Sequence, residues 1–447
     1  MSDTLLDALP RHSLNPEPWP RIADKSSFEL HESNVRSYCR NFPAVFTLAQ
    51  GSRLRDVNGK SYIDFLSGAG ALNYGHNNES IRRPLLRYIE ENGITHGLDL
   101  HTVAKAEFID SFQEHILRPR NLRYKMQFTG PTGTNAVEAA LKLARKVTGR
   151  SNVIAFSNAF HGMSLGALAA TSNPVKRRGA GTALGGVTFM PFENFLGEDV
   201  DTIDYASRMI AAGGGVETPA AFLVETIQAE GGLRTASAEW LSRLAALAKS
   251  VGALLIVDDI QAGCGRSGTF FSFENTGVTP DIVCLSKSLS GYGLPLSLVL
   301  IRPQYDVWNP GEHNGTFRGN NLAFVTAKAA IETFWTTSTF QHSIAEIAHV
   351  LRERLGGLAN RLNAVSDASR VVGRGLLIGI EIPVAGLAEA VASEAFKDGL
   401  VIETCGVSSH VVKLLPALNI GRDDLAEGLE ILEDAVERVI DSNLGGR

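Results

Sequence analysis

The sequence predicts an α/β protein with a large, doubly wound, mostly parallel sheet and a smaller α+β domain drawn from both chain ends. Three observations point there. Short, uninterrupted apolar runs recur at 153–156 (VIAF), 221–224 (AFLV), 254–257 (LLIV), 282–285 (IVCL) and 297–301 (SLVLI), as suits strands covered on both faces. Helical periodicity lies between several of them, for example at 134–148 and 237–250, and this alternation argues a parallel sheet. Outside that block the pattern changes to a hairpin on one side and a mixed helix–strand tail on the other.

In chain order, residues 1–25 hold Pro10, Pro16, Pro18 and Pro20 among polar residues and read as a mobile or loosely docked arm. At 45–65, alternating apolar residues flank Asn58-Gly59, a pair that accepts two positive φ angles, so a β-hairpin is expected. After the large block come helices at 321–335 and 340–363, strands near 376–381 and 410–415, and helices at 385–398 and 423–439. The expected division is 1–79 (arm and hairpin, part of the small domain), 80–330 (large α/β domain) and 331–447 (C-terminal small domain). No internal repeat appears.

Composition narrows the function. The 447 residues carry 42 basic and 48 acidic side chains, net -6, so no basic field gathers nucleic acid or anionic lipid. Apolar stretches such as 253–257 and 294–301 fall far short of the roughly 20 residues of a membrane span. The N-terminus has Asp3 and Asp7 where a signal peptide carries Lys or Arg. Cys39, Cys264, Cys284 and Cys405 form no CxxC pair and read as reduced, mostly buried thiols of a cytoplasmic protein; no metal site is expected.

Four segments carry candidate chemistry. In 127–146 a Gly/Pro/Thr loop runs into a helix whose apolar face holds Ala136, Val137, Ala140, Leu141 and Ala144. The unpaired amides at its start, at Gly133 and Thr134, either merely begin a helix or receive a phosphate; the Lys-Ser/Thr of a P-loop is missing. In 254–268 the literal GxGxxG at Gly263, Gly265 and Gly268 is no dinucleotide site, because four residues separate it from the strand and no helix follows. Asp258 and Asp259 there end an apolar strand, as satisfied structural acids or as partners of a ligand cation. Lys287 follows the run IVCL, either as a surface lysine or as a strand-end amine with a task. Phe160-His161-Gly162 lies beyond strand 153–156 and suits either core packing or a flat ring. Jointly, a phosphate cradle, a strand-end acid, an aromatic and an amine suit pyridoxal 5′-phosphate (PLP).

The residues also carry a resemblance. GPTGTNAVEAALKLAR, FHGM, VETIQAEGG, DDIQAGCGRSG, LSKSLSG and GTFRGNN occur in the order and spacing of the class III aminotransferases, and from about residue 30 the chain resembles that family of PLP enzymes of fold type I. Within it, ESNVRSYCRNFPAVF and LSGAGALNYGHNN most resemble the branch acting on L-2,4-diaminobutyrate and 2-oxoglutarate, of ectoine-pathway type. The resemblance implies that Lys287 carries the cofactor, Asp258 pairs with its pyridine nitrogen and Gln261 touches its phenolic oxygen. It implies that Phe160 stacks on the ring, His161 and Glu225 lie close to it, and Gly133 with Thr134 hold the phosphate. Thr316 would reach the phosphate of the neighbouring subunit, implying a homodimer with shared sites. Glu230 matches a glutamate that gates substrate entry in ornithine-type members. Met163 and Lys413 stand where those members carry arginines, so the resemblance leaves the partner of the 2-oxoglutarate carboxylate unidentified; Lys413, Arg36 and Arg40 are candidates, or else surface or structural ion pairs. Other ω-amino donors (4-aminobutyrate, ornithine, a polyamine) are the alternative substrates.

Overall fold

The structure is a computed structural model that describes residues 25–444; the predicted arm, apart from Lys25, lies outside the described residues. The largest sheet has seven strands in the order Lys125–Phe128, Leu298–Ile301, Ile282–Leu285, Leu254–Asp258, Ala221–Val224, Val153–Phe156 and Val187–Met190. Neighbours run parallel except at Leu298–Ile301, which is antiparallel to both of its partners. The five expected strands are all present. The two outer strands, Lys125–Phe128 and Val187–Met190, are not legible as apolar runs because an edge strand has only part of its surface covered.

The uninterrupted apolar runs are explained by burial on both faces. Val153, Ala155, Leu223, Leu254, Ile256, Ile282 and Cys284 pack in one core with the alanine-rich face of the helix Gly133–Thr148. Their alternates Ile154, Phe156, Phe222, Val224, Leu255, Val257, Val283 and Leu285 point into a second core with Phe270, Phe324 and Trp240.

The N-terminal hairpin is a three-stranded meander, Phe46–Gln50, Arg53–Asp56 and Ser61–Asp64. Its Asn58-Gly59 turn differs from expectation: Gly59 has φ +88° and Asn58 is not in the positive region. Asp56 is the reason. Its Oδ1 accepts from the amides of Asn58 and Lys60, both at 2.9 Å, and closes a longer loop without a two-residue turn. Leu400–Val401 joins this sheet in parallel beside Ser61–Asp64, so residues from both ends of the chain share one sheet.

A second antiparallel sheet runs Arg370–Arg374, Leu377–Glu381, Val411–Leu414, Glu403–Cys405. Around it lie the helices Asn321–Phe334, Thr339–Leu362, Leu387–Lys397 and Arg422–Leu444, close to their expected limits. Arg266 ties the pieces together. Its fully buried guanidinium donates to Asn73 Oδ1 at 2.6 Å and to the carbonyl oxygens of Leu376 and Pro416. Cys39 is exposed and the other three cysteines are buried; all four are free thiols. Among the described residues no helix is long and apolar enough to cross a membrane, and no cluster of metal-binding side chains occurs.

Candidate active site

The chemistry-bearing residues converge at the carboxyl ends of the central strands, where open α/β sheets bind ligands. Asp258 is the last residue of Leu254–Asp258, Glu225 directly follows Ala221–Val224, and Lys287 lies two residues past Ile282–Leu285.

Lys287 sits in the left-handed region at φ +50°, a conformation that costs an ordinary residue roughly 1–2 kcal/mol and marks a site held by its surroundings. Its Nζ donates to the carbonyl oxygen of Ala69 at 2.9 Å, and Ser288 Oγ donates to that of Gly70 at 2.7 Å. The accepting turn is itself unusual, since Ser67, Gly68, Ala69 and Gly70 have φ of 46°, 59°, 56° and 81°. Four left-handed residues in succession turn the Ala69 carbonyl toward Lys287, and Gln261 Nε2 shares it at 2.9 Å. This turn belongs to the site yet was not singled out from the sequence. Two glycines flanking an alanine in SGAG were the available signal. Burial, aided by the Lys413 charge, pushes the Lys287 amine down to about 8 against the pull of Glu230, Glu403 and Asp258.

Asp258 is buried, with Oδ2 2.7 Å from His161 Nδ1, while its Oδ1 accepts from the Ile260 amide at 3.2 Å. His161 is therefore placed as the partner of Asp258, and its loop is pinned by the bond from its amide to Thr171 Oγ1 at 3.0 Å. Glu225 Oε2 accepts from the Phe160 amide at 3.0 Å. Burial first, and the Asp258 charge second, hold its carboxyl well above the usual range. Two buried polar atoms in this group accept or donate nothing within the chain: Gln261 Oε1 and His161 Nε2.

Phe160 is half-buried, and the Lys176 ammonium lies 4.8 Å from its ring centroid. Gly133 and Thr134 open the helix Gly133–Thr148, whose N-cap Thr132 forms a reciprocal capping pair with Asn135. A Cβ on Gly133 would come within 3.0 Å of the Ile260 side chain, and one on Gly162 within 2.5 Å of Thr134 Oγ1. Thr134 Oγ1 itself lies 2.6 Å from Ser164 Oγ.

A second charged group lies near Lys287. Lys413, fully buried on Val411–Leu414, donates to Glu230 Oε1 at 2.7 Å and stands 3.0 Å from Glu403 Oε1. Glu403 is its cross-strand neighbour. Burial alone would raise the Glu230 carboxyl, but Lys413 and then Lys287 outweigh it and hold it well below the usual range. The Glu403 carboxyl is raised, by burial first, against the pull of Lys413. Tyr38 belongs to the same neighbourhood: its phenol is pushed up to about 12 by enclosure of the hydroxyl, with the Glu403 and Glu230 charges adding to it. Glu403 and Tyr38 were not anticipated. The signal for Glu403 was a lone lysine in the otherwise apolar strand Val411–Leu414, which demands an acidic partner.

Three expected residues take part in none of the contacts above. Arg36 directs its Nε to the Ser33 carbonyl oxygen and lies 3.7 Å from Glu32, while Arg40 donates to the carbonyl oxygens of Asn34 and Arg36. Thr316 is exposed in the short turn Thr316–Arg318.

The description of the family Aminotransferase class-III matches residues 35–436. A diaminobutyrate–2-oxoglutarate transaminase of Halalkalibacterium halodurans is 52% identical over 94% of this chain and 98% of its own length. One from Vibrio cholerae is 54% identical over 91% of this chain and 98% of its own. A solved structure of ornithine aminotransferase from Toxoplasma gondii, described as showing partial occupancy of PLP at the active site, superposes with TM-score 0.78. It is 26% identical and covers 94% of each chain.

Proposed function

The chain belongs to the class III aminotransferases, and on that premise we propose that it transfers the 4-amino group of L-2,4-diaminobutyrate to 2-oxoglutarate. The products are L-aspartate 4-semialdehyde and L-glutamate, and the reaction is reversible. Pyridoxal 5′-phosphate is the cofactor. The observation that carries this reading is the meeting of Lys287, Asp258 and Glu225 at three adjacent strand ends, in a chain about half identical, over nearly its whole length, to diaminobutyrate transaminases.

The residues present suit that cofactor. The orphaned Gln261 Oε1 and His161 Nε2 offer unused polar capacity, and Gly133, packed so closely on Ile260 that a Cβ would crowd it, begins a helix whose free amides suit a phosphate. Gly133 and Thr134 would hold the phosphate, Phe160 would cover the ring, and Gln261 and Glu225 would face its polar edge. When bound, the cofactor supplies an aldehyde for amine capture and a ring that withdraws electrons from the carbon bearing the amine.

The chain's own residues do the rest. Lys287 Nζ, with its pKa brought down to about 8, gives up its proton far more readily than an ordinary lysine; it would hold the cofactor and, when free, take a proton from the donor's amine-bearing carbon. Asp258 would face the pyridine nitrogen, and His161 fixes its orientation through the 2.7 Å contact. Glu225, its carboxyl held well above the usual range by burial, anchors the Phe160 backbone by accepting from that residue's amide.

We further take the enzyme to be a homodimer in which the exposed Thr316 reaches the partner's phosphate site. Residues 80–330 form the cofactor-binding domain and both chain ends the smaller one, in a cytoplasmic, ectoine-type role. The test is a donor panel with 2-oxoglutarate and purified, PLP-loaded protein. L-2,4-diaminobutyrate should exceed 4-aminobutyrate, ornithine and putrescine in kcat/KM, with semialdehyde as product; preference for any other donor rejects the assignment.

A further inference from the structure

Resting on that substrate reading, the inference concerns the uneven charge around Lys413. One ammonium, with no exposed surface, faces two carboxylates whose side chains are 28% (Glu230) and 7% (Glu403) exposed. The two contacts differ in kind. Glu230 accepts a hydrogen bond from Nζ at 2.7 Å. Glu403 Oε1 stands at 3.0 Å, an ion-pair contact poorly aligned for a hydrogen bond. Glu403 is fixed by its place in the strand Glu403–Cys405, paired across to Lys413. Glu230 lies in the short connection between Ile227–Gln228 and Arg234–Thr235, outside regular structure.

An isolated buried ammonium is too costly to leave unpaired, so a simple pair would bind its glutamate permanently. We propose that Glu403 is a fixed counter-charge for Lys413, a positioning residue that frees Glu230 to swing to the non-reacting ammonium of a diamine donor. Glu403 is then why the site selects a donor with two amines, and why Lys413 is not a receptor for the acceptor's carboxylate. Lys413 stays neutralised whether Glu230 is present or away. The extra negative charge belongs to the donor's second ammonium.

The test compares steady-state constants of the PLP-loaded wild type with Glu403→Gln and Glu403→Asp. In Glu403→Gln, Lys413 must keep Glu230. KM for L-2,4-diaminobutyrate should rise about tenfold, the scale of one charged hydrogen bond. With saturating donor, kcat should stay within about threefold, KM for 2-oxoglutarate should not rise, and the preference for diaminobutyrate over 4-aminobutyrate should shrink by a similar factor. Glu403→Asp, which keeps the charge, should preserve both the KM and the preference. Adding Lys413→Met to Glu403→Gln removes cation and counter-charge together and should bring the donor KM back toward wild type. A parallel rise of both KM values, an unchanged preference, an Asp variant that behaves as Gln does, or a double variant with the donor KM still raised tenfold overturns the proposal. If Glu403→Gln alone does not fold, the Asp and double variants decide by the same criteria. Inactivity of the wild type on diaminobutyrate would sink the substrate reading first, before any variant is compared.

Discussion

On one side of Lys287, Asp258 meets a single imidazole at 2.7 Å, between the end of a central strand and a loop pinned by Thr171. On the other, Lys413 meets two carboxylates, one of them partly open to solvent. The first sets one carboxyl against one imidazole, both buried, at the end of a central strand. The second carries one anion in excess and borrows it from a short connection. The difference follows the demands on each side: a permanent group needs a fixed, matched partner, whereas a pocket that alternates between cationic and anionic molecules needs a charge that can move.

That contrast is open to attack, beginning with the largest effect. Lys287→Ala should lose all turnover and all borohydride-reducible attachment of PLP, read by absorbance and peptide mapping; label on a different lysine would displace Lys287 from the centre of both groups. Asp258→Asn should keep PLP bound but lower kcat by about 100- to 10,000-fold, the range of a well-placed acid–base group. Near-normal turnover would show that the matched side is merely structural.

On the uneven side, Lys413→Met strands the buried Glu403 carboxylate and the half-buried Glu230 beside it, and should cost about 3–5 kcal/mol in urea unfolding. A second change, Glu403→Gln, should return a large part of that loss. Additive losses instead would mean that the two residues do not share a charge.

The smallest effect concerns Lys287 itself in cofactor-free protein. Its amine is lowered to about 8 in the fold against 10.5 unfolded, so between those values the unfolded chain binds more protons. The wild type should therefore gain on Lys287→Met as pH rises from about 8 toward 10.5, by about 3 kcal/mol at most. A flat difference across that window would mean that the amine is not desolvated.

How much of this was legible in the sequence depended on what each residue needs. Central strands such as Ile282–Leu285 are apolar at every position because both faces are covered, so they announce themselves. The edge strand Lys125–Phe128 mixes Lys and Gln with apolar residues and does not. Lys287 and Asp258 sit at strand ends, and local pattern reaches them; Glu225, also at a strand end, entered only through the resemblance. Glu403 meets Lys413 only after strand pairing, and Glu230 arrives from far away in the chain. The Ala69 carbonyl is a backbone atom whose direction depends on four left-handed residues, and side-chain chemistry does not foretell it. The Asn58-Gly59 turn was misread because Asp56, outside the dipeptide, closes the loop.

The bond from Lys287 to Ala69 spans 218 positions, and the one from Lys413 to Glu230 another 183. A ribosome thus delivers the first wall of the pocket early, the reactive amine much later and the last wall near the end of synthesis. A nascent chain halted before Val411–Leu414 has its lysine and its sheet but an open flank, so vitamin capture should be secure only on full-length product.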